Sequence, residues 1–358
     1  MKSSRQTLRP PFLLGEQEVQ AGQSAQVRLP VGTFLTHEEL SIQVTVIHGR
    51  LPGPVMLVSG CIHGDEYNGA EIIRRILRTK SVKKLKGTLL AVPIVNRPGF
   101  IRRARYMPDR RDLNRLFPGS ATGSLGARLA KVFSEQLIRQ ADCIIDLHTG
   151  AVNRPNLSQI RVTSGDEHSI ALARVFSPPV ILTASQREQT LRATCIAYRK
   201  PVLLYESGEA LRLDSSSIRY GVQGILSVMG HLGMLPRRSR RKARSEAILC
   251  HKSFWQRAPQ GGIFTPLVSL GKAVTQGSLL GFIADPQGSS ETEVIASYAG
   301  VIIGRTNEAV ADEGDGLFHI ALTSDLDSAE GMISQSVDAL PELAEDLEDH
   351  PVGFEVSP

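Results

Sequence analysis

Between Gly60 and Gly69 the chain reads Gly-Cys-Ile-His-Gly-Asp-Glu-Tyr-Asn-Gly, which sets an imidazole, His63, three residues ahead of a carboxylate, Glu66. On a turn, such a pair can bind one Zn²⁺ together; taken alone, it also fits a loop histidine beside a surface acid. A second stretch, Asp146-Leu147-His148-Thr149-Gly150, ends a short apolar run. Residues two apart in a strand share a face, so Asp146 and His148 point the same way. His148 brought beside His63 and Glu66 makes two imidazoles and one carboxylate, a common catalytic zinc set that leaves the fourth position to water. Asp146 would then accept a hydrogen bond from the ligating imidazole and orient it; the plainer alternative is an Asp–His pair in a core.

Two further groups suit hydrolysis. Seven arginines lie from Arg97 to Arg115, among them Arg105 before Tyr106 and Arg115 in Arg111-Asp112-Leu113-Asn114-Arg115. A guanidinium is a planar fork that grips carboxylates with two hydrogen bonds. Such a cluster beside a zinc site fits an acidic substrate, and a solvated or phosphate-binding basic loop is the competing reading. Glu206, in Tyr205-Glu206-Ser207-Gly208, closes another apolar run. It fits a general base for water, or a surface acid at a turn. Cys61 lies two residues before His63, but its neighbours give no His/Asn partner for nucleophilic catalysis, and it reads as a small buried hydrophobe. His168, His231, His251, His319 and His350 have no ligand-like company, and the sequence holds no G-x-S-x-G, P-loop or G-x-G-x-x-G motif.

The elements that must carry these residues follow from periodicity. Residues 18–50 alternate apolar and polar and read as antiparallel strands. Residues 54–60, 87–96, 143–150 and 201–208 are continuous apolar runs, suited to strands buried on both faces. Helical spacing appears over 67–78, 124–141, 169–177 and 217–235. Short buried strands alternating with helices predict an α/β sheet covered on both faces. That places His63, His148 and Glu206 at the C-terminal sheet edge, where open α/β sheets bind ligands. The rhythm changes after Leu235. Residues 236–244 hold six basic residues and read as a linker, and residues 248–323 are short strands and glycine-marked turns, a small all-β domain. Its rhythm is similar to that of biotinyl and lipoyl domains, but Thr292–Ser297, in the place of their modified hairpin, has no Lys, which argues against a carrier role.

Composition narrows the class. The 358 residues, 41% hydrophobic and 22% charged, suit a soluble two-domain globular protein. No apolar run approaches a membrane span, the N-terminus lacks the apolar stretch of a signal peptide, and four scattered cysteines read as reduced thiols, so a cytoplasmic location is expected. Residues 1–305 contain 41 basic and 22 acidic residues, whereas the remainder has 14 acidic and no basic ones. A basic body favours anionic partners, and the acidic end argues against a simple nucleic-acid binder.

Together, G-x-x-H-G-D-E-x-x-G, D-L-N-R-x-F-P-G, D-L-H-x-G and the Glu206 strand end resemble the succinylglutamate desuccinylase/aspartoacylase family, relatives of the zinc carboxypeptidases. The resemblance is close over residues 50–235. It implies a zinc-carboxypeptidase-like mixed α/β sheet with helices on both faces, plus a small all-β C-terminal domain. The expected organisation is N-terminal strands at 1–44, a catalytic domain at 45–236, the β-domain at 248–323, and an acidic, loosely held tail at 326–358 whose one helical stretch is 339–349. By the same resemblance one Zn²⁺ per chain is held by His63, Glu66 and His148, with Asp146 and Asp112 behind these ligands. Glu206 is the general base, Arg105 polarises the scissile carbonyl with Arg103 as its rival, and Asn114 and Arg115 grip the substrate's α-carboxylate. Arg102, Arg103, Arg110 and Arg111 remain for a second carboxylate. The implied reaction is zinc-dependent hydrolysis of the amide in an N-acylated, carboxylate-bearing amino acid. Two alternatives stay open: a zinc carboxypeptidase trimming acidic, glutamyl peptides, and a metal-free protein of the same fold that binds an anion or RNA. The expected partner is a small anionic N-acyl amino acid or short acidic peptide, with no membrane; homo-oligomers are allowed.

Overall fold

The computed structural model describes residues 9–235, 247–326, 329–331 and 333. The basic stretch at 236–244 and the helical stretch expected at 339–349 lie outside them. At the centre, strands Val202–Glu209, Cys143–Gly150, Val55–Gly60 and Thr88–Val92 lie side by side and parallel. Their apolar runs are continuous because both faces are covered. Met56, Val58, Ile145 and Leu147 enter one core, while Leu57 and Ile144 enter the other. Helices Asn68–Arg78, Glu167–Phe176 and Ser215–His231 supply the first core, and Leu125–Phe133 and Leu191–Ala197 the second. Four of these helices start at side chains that accept a backbone N–H three residues on: Ser124, Asp166, Thr190 and Asp214.

The antiparallel strands expected over 18–50 are present as a hairpin, Gln23–Thr33 paired with Glu39–His48, which forms one flank of the main sheet. The helix predicted over 124–141 is α-helical only to Phe133 and continues as a wider π turn to Ile138. On the other flank lie two strands that the periodicity does not reveal, Asn156–Thr163 and Val180–Ala184. The first interleaves Asn156, Ser158, Arg161 and Thr163 with its apolar residues and so looks like a loop; the second is five residues long.

From Ser253 to Leu322 the regular structure is all strand. Glu291–Ile295, Leu279–Ala284, Gly262–Pro266 and Val310–Ala311 form a four-stranded antiparallel sheet. It packs through Phe264, Ile283 and Val294 on Ile302, Phe318 and Ile320 of the strands Gly300–Arg305 and Gly316–Leu322. Those two strands continue the main sheet, because Gly304 pairs with Asn156, and Ile248–Cys250 runs alongside Val180–Leu182. One thirteen-stranded sheet therefore spans both regions. The acidic segment begins docked: Ala329 and Ile333 are buried in a cluster with Val301 and Ile303, and Glu330 pairs with Lys272. All four cysteines are buried and free. No helix among the described residues is long and apolar enough to cross a membrane.

Gly64 shows how tightly the fold brings the first motif to the arginine loop. A Cβ on it would stand 2.0 Å from the carbonyl carbon of Gly99 and 2.2 Å from the nitrogen of Phe100. Both are backbone atoms, so neither can swing aside. Gly64→Ala is expected to destabilise the protein by about 1–3 kcal/mol or more, the usual cost of overpacking. Urea unfolding of the two proteins checks this, and an unchanged midpoint would refute the close approach.

Candidate metal centre and arginine-lined cavity

The strand Val55–Gly60 ends just before Cys61, and the turn beyond it carries His63 and Glu66 into the helix Asn68–Arg78. His148 arrives from the adjacent strand, where Gly60 is paired with Leu147. The three side chains are buried, and their candidate ligand atoms all lie within 4.8 Å of one another. Glu66 Oε1 is 2.6 Å from His63 Nδ1, and Glu66 Oε2 is 2.8 Å from His148 Nδ1. The outer nitrogens meet carboxylates: His63 Nε2 is 3.1 Å from Asp112, and His148 Nε2 is 2.8 Å from Asp146. Ser59 Oγ fixes Asp146 in turn by donating to its other oxygen at 2.8 Å. A carboxylate at Nε2 fixes the proton there and turns the Nδ1 lone pair inward.

Two inward lone pairs facing a carboxylate repel unless a proton or a metal cation lies among them. The titration shifts report the same field. Burial pushes the His148 imidazole down, but the charges of Asp146 and Glu66 outweigh it and raise its pKa well above the usual value. Burial, opposed by Glu66 and Asp112, likewise leaves His63 raised. Burial alone would lift the Glu66 carboxyl, yet the two imidazoles hold it well below its usual range. The N,N,O donor set and its depth therefore fit a divalent cation such as Zn²⁺.

Arg105 bridges the cluster to its outer shell: its guanidinium donates to Glu66 Oε1 at 3.3 Å and to Asp112 Oδ2 at 3.1 Å. Its rival Arg103 is exposed and caps the helix Arg97–Arg102 in a left-handed conformation. Asp112 also accepts the Asn114 N–H at 2.8 Å, which starts a single 3₁₀ turn, Leu113–Arg115. Within it Asn114 Oδ1 accepts the Leu191 N–H at 2.9 Å, and Arg115 folds back to donate to the Asn114 carbonyl at 2.5 Å. Glu206 is the register partner of His148 on the neighbouring strand. Its carboxylate accepts from Asn156 Nδ2 at 3.0 Å and lies 3.6 Å from Arg161. His63, Glu66, His148, Arg105, Asn114, Arg115 and Glu206 all line one cavity of about 520 Å³.

Residues 52–232 match the family model of the succinylglutamate desuccinylase/aspartoacylase catalytic domain. The chain belongs to this family. It is 26% identical over 292 residues to N-alpha-acetyl-L-2,4-diaminobutyric acid deacetylase from Halomonas elongata, covering 78% of this chain and 85% of that protein. A succinylglutamate desuccinylase from Pseudomonas paraeruginosa is 32% identical over 150 residues, 38% of this chain and 44% of that one. Among solved structures, the product-bound ectoine utilization protein EutE (DoeB) from Ruegeria pomeroyi superposes with a TM-score of 0.76 at 22% identity, over 88% of this chain and 99% of that one. A succinylglutamate desuccinylase/aspartoacylase from Rhodobacter sphaeroides gives 0.73 at 24% identity, over 83% and 94%. At that identity the two structures establish a shared fold.

In this member of the succinylglutamate desuccinylase/aspartoacylase family, the spare positive charge is not where the sequence suggests. Arg102, Arg103, Arg110 and Arg111 are exposed and do not line the cavity. Arg154, Arg161, Arg187 and Arg192 do. They come from two loops, a strand and a helix, so no local cluster announces them; each is an isolated arginine in the sequence. Arg192 is only 9% exposed, and its Nη1 and the Nε of Arg161 are buried without a hydrogen-bond partner among the described residues. Burial and then the charge of Arg161 lower the Arg192 pKa. Burial likewise lowers that of Arg115, and Arg187 and Arg105 add to the effect. The cavity also gains Trp255, from the strand Ser253–Arg257. Cys61 donates to the Glu66 carbonyl at 3.2 Å, and burial pushes its thiol up to about 12, which disfavours the thiolate.

Proposed function

We propose that this chain is a zinc-dependent amidohydrolase that cleaves the amide of an N-acylated amino acid carrying at least two carboxylates. The observation that carries this reading is one cavity in which a buried His63–Glu66–His148 set faces Glu206 across a field of arginines. Zinc held by His63 Nδ1, Glu66 and His148 Nδ1 would supply Lewis acidity, polarising a carbonyl and making water a usable nucleophile near neutral pH. Glu206 accepts one proton from the attacking water as the new C–O bond forms, and passes it to the amide nitrogen as the C–N bond breaks. Arg105 donates to the carbonyl oxygen as negative charge collects there. Asn114 Nδ2 and the Arg115 guanidinium hold the α-carboxylate, and the products are a carboxylate and a free amine.

The relatives support a deacylase: one is named for removing an acetyl group from an N-acetylated diamino acid, the others for desuccinylating succinylglutamate. The cavity favours the second kind of substrate here. A diamino acid's second amine is cationic at neutral pH and would face Arg154, Arg161, Arg187 and Arg192, whereas a second carboxylate would neutralise part of that charge. A volume of about 520 Å³ suits a small molecule.

Three outcomes are expected. The purified protein should carry about one zinc per chain by elemental analysis, and His148→Ala should lose both metal and hydrolysis; full activity in a metal-free variant would defeat the mechanism. Glu206→Gln should keep its zinc while kcat falls roughly 10²–10⁴-fold; loss of the metal instead would make Glu206 a ligand. In a screen of N-acetyl and N-succinyl amino acids and glutamyl dipeptides, N-acyl aspartates or glutamates should be turned over best. Amidation of their α-carboxylate should lower kcat/KM about tenfold or more, and Arg115→Ala should shrink that preference. Equal turnover of acid and amide would place these arginines outside the binding site.

A further inference from the structure

We infer that Asn156 is a positioning residue for Glu206, and that the β-domain sets it. The inference rests on the reading of Glu206 as the base. Glu206 occupies an irregular place in the sheet. The register slips after it on both sides, between Glu206 and Glu209 against Cys143–Gly150, and between Glu206 and Gly208 against Asn156–Thr163. The ladder therefore does not by itself fix the direction of the carboxylate. Asn156 Nδ2 does, by donating to Oε2 at 3.0 Å. Arg161 stands 3.6 Å from Oε1, beyond hydrogen-bond length, which leaves that oxygen free to take a proton. A neutral donor holds the carboxylate while costing it less basicity than a close salt bridge would.

Asn156 is held from the other side. It pairs with both Gly208 and Gly304. A Cβ on Gly304 would stand 2.9 Å from Asn156 Oδ1, so the amide fits only because residue 304 has no side chain. The residues around it are tied to the same region. Asn307 N–H donates to the Asn153 carbonyl at 2.7 Å, and Arg305 N–H to the Pro155 carbonyl at 3.4 Å. Glu209 closes the link, accepting the Asn153 N–H at 3.0 Å and Asn307 Nδ2 at 3.1 Å. The segment 153–156 is thus stapled between the strand end that carries Glu206 and the β-domain residues 304–307.

A double-mutant cycle on the full chain tests this. Asn156→Ala, and the isosteric Asn156→Asp in case the truncation disturbs folding, are each made alone and with Glu206→Gln. Zinc content and the thermal midpoint are measured alongside kcat and KM on the best N-acyl substrate. Alone, each variant should retain zinc and lose about 10- to 100-fold in kcat, the scale of a small misplacement of a catalytic group, with KM changed by less than about twofold. Asn156→Asp should lose more, because it sets a like charge against Glu206. In the Glu206→Gln background the same changes should cost almost nothing further, because a residue that acts through Glu206 has nothing left to orient. Gly304→Ala should reproduce the pattern in milder form. An equal loss in both backgrounds, or a loss confined to KM, would overturn the inference and leave Asn156 a structural or substrate-binding residue. An undiminished Glu206→Gln enzyme would remove the base itself, a different failure from an impaired Glu206→Gln on which Asn156 acts independently.

Discussion

A carboxylate buried between two imidazoles is the constraint on which the rest of the molecule depends. Glu66 is 1% exposed, and an ionised carboxylate at that depth persists only if it is paired and hydrogen-bonded. Its four partners come from three places: His63 in its own turn, His148 and the Thr149 N–H on the next strand, and Arg105 beyond a short helix. Their convergence requires Val55–Gly60 and Cys143–Gly150 to be parallel neighbours in one register, with the following loop pressed against Gly64. Breaking a buried pair by removing one partner costs about 3–5 kcal/mol. The cluster therefore ties strand register to site chemistry, and a slip of one residue would turn His148 to the opposite face.

The positive side of the cavity obeys the opposite logic. Among the described residues, Glu66 and Glu206 are the only acidic side chains lining it, against six arginines. Two of those arginines, Arg115 and Arg192, have lowered pKa values from burial and then from nearby arginines, Arg187 and Arg105 for the first and Arg161 for the second. Like charges gathered in a partly desolvated space destabilise the fold that holds them, and donors such as Arg192 Nη1 have no partner among the described residues. A bound dianion would supply both the missing charge and the missing acceptors. Stability given up at the site in this way is stability recovered on binding, a usual relation between function and local strain.

How much of this was legible in the sequence depended on locality. His63 and Glu66 are three residues apart, and Asp146 and His148 two apart, so turn and strand geometry alone pair them. Their meeting across strands was implied by two apolar runs that end in chemistry, and the Glu206 run added the third. The central strands and the helices at 67–78, 169–177 and 217–235 were legible for the same reason, since burial on two faces or one leaves a plain pattern. Asn156–Thr163 was not, because Asn156 and Arg161 line the cavity while Ser158, on the core side, bonds to Ser207 and Tyr205, and polar residues interleaved in that way read as a loop. The same polarity hid the cavity arginines: Arg154, Arg161, Arg187 and Arg192 become neighbours only through tertiary structure. The conspicuous run at 102–111 drew attention by density, yet density on an exposed loop is what solvation alone produces.

The change of rhythm after Leu235 separates two compositions without separating two hydrogen-bonded bodies. Strands beyond it extend the main sheet at Gly304 and at Ile248, and this continuity has an electrostatic consequence for the cavity. Trp255 reaches the cavity wall with its ring stacked on His319, centroids 4.6 Å apart and planes 6° from parallel. His319 is buried near Arg161, and burial and then that charge push its pKa down to about 3. The imidazole is therefore neutral at any physiological pH and adds no further cation to a crowded field. Its Nε2 is engaged with Ser253 Oγ at 2.8 Å, which fixes the ring as a flat support. Among the described residues, the β-domain thus brings the arginine-lined cavity an aromatic wall and no charge, so that the charges of the cavity come from the α/β sheet and its loops.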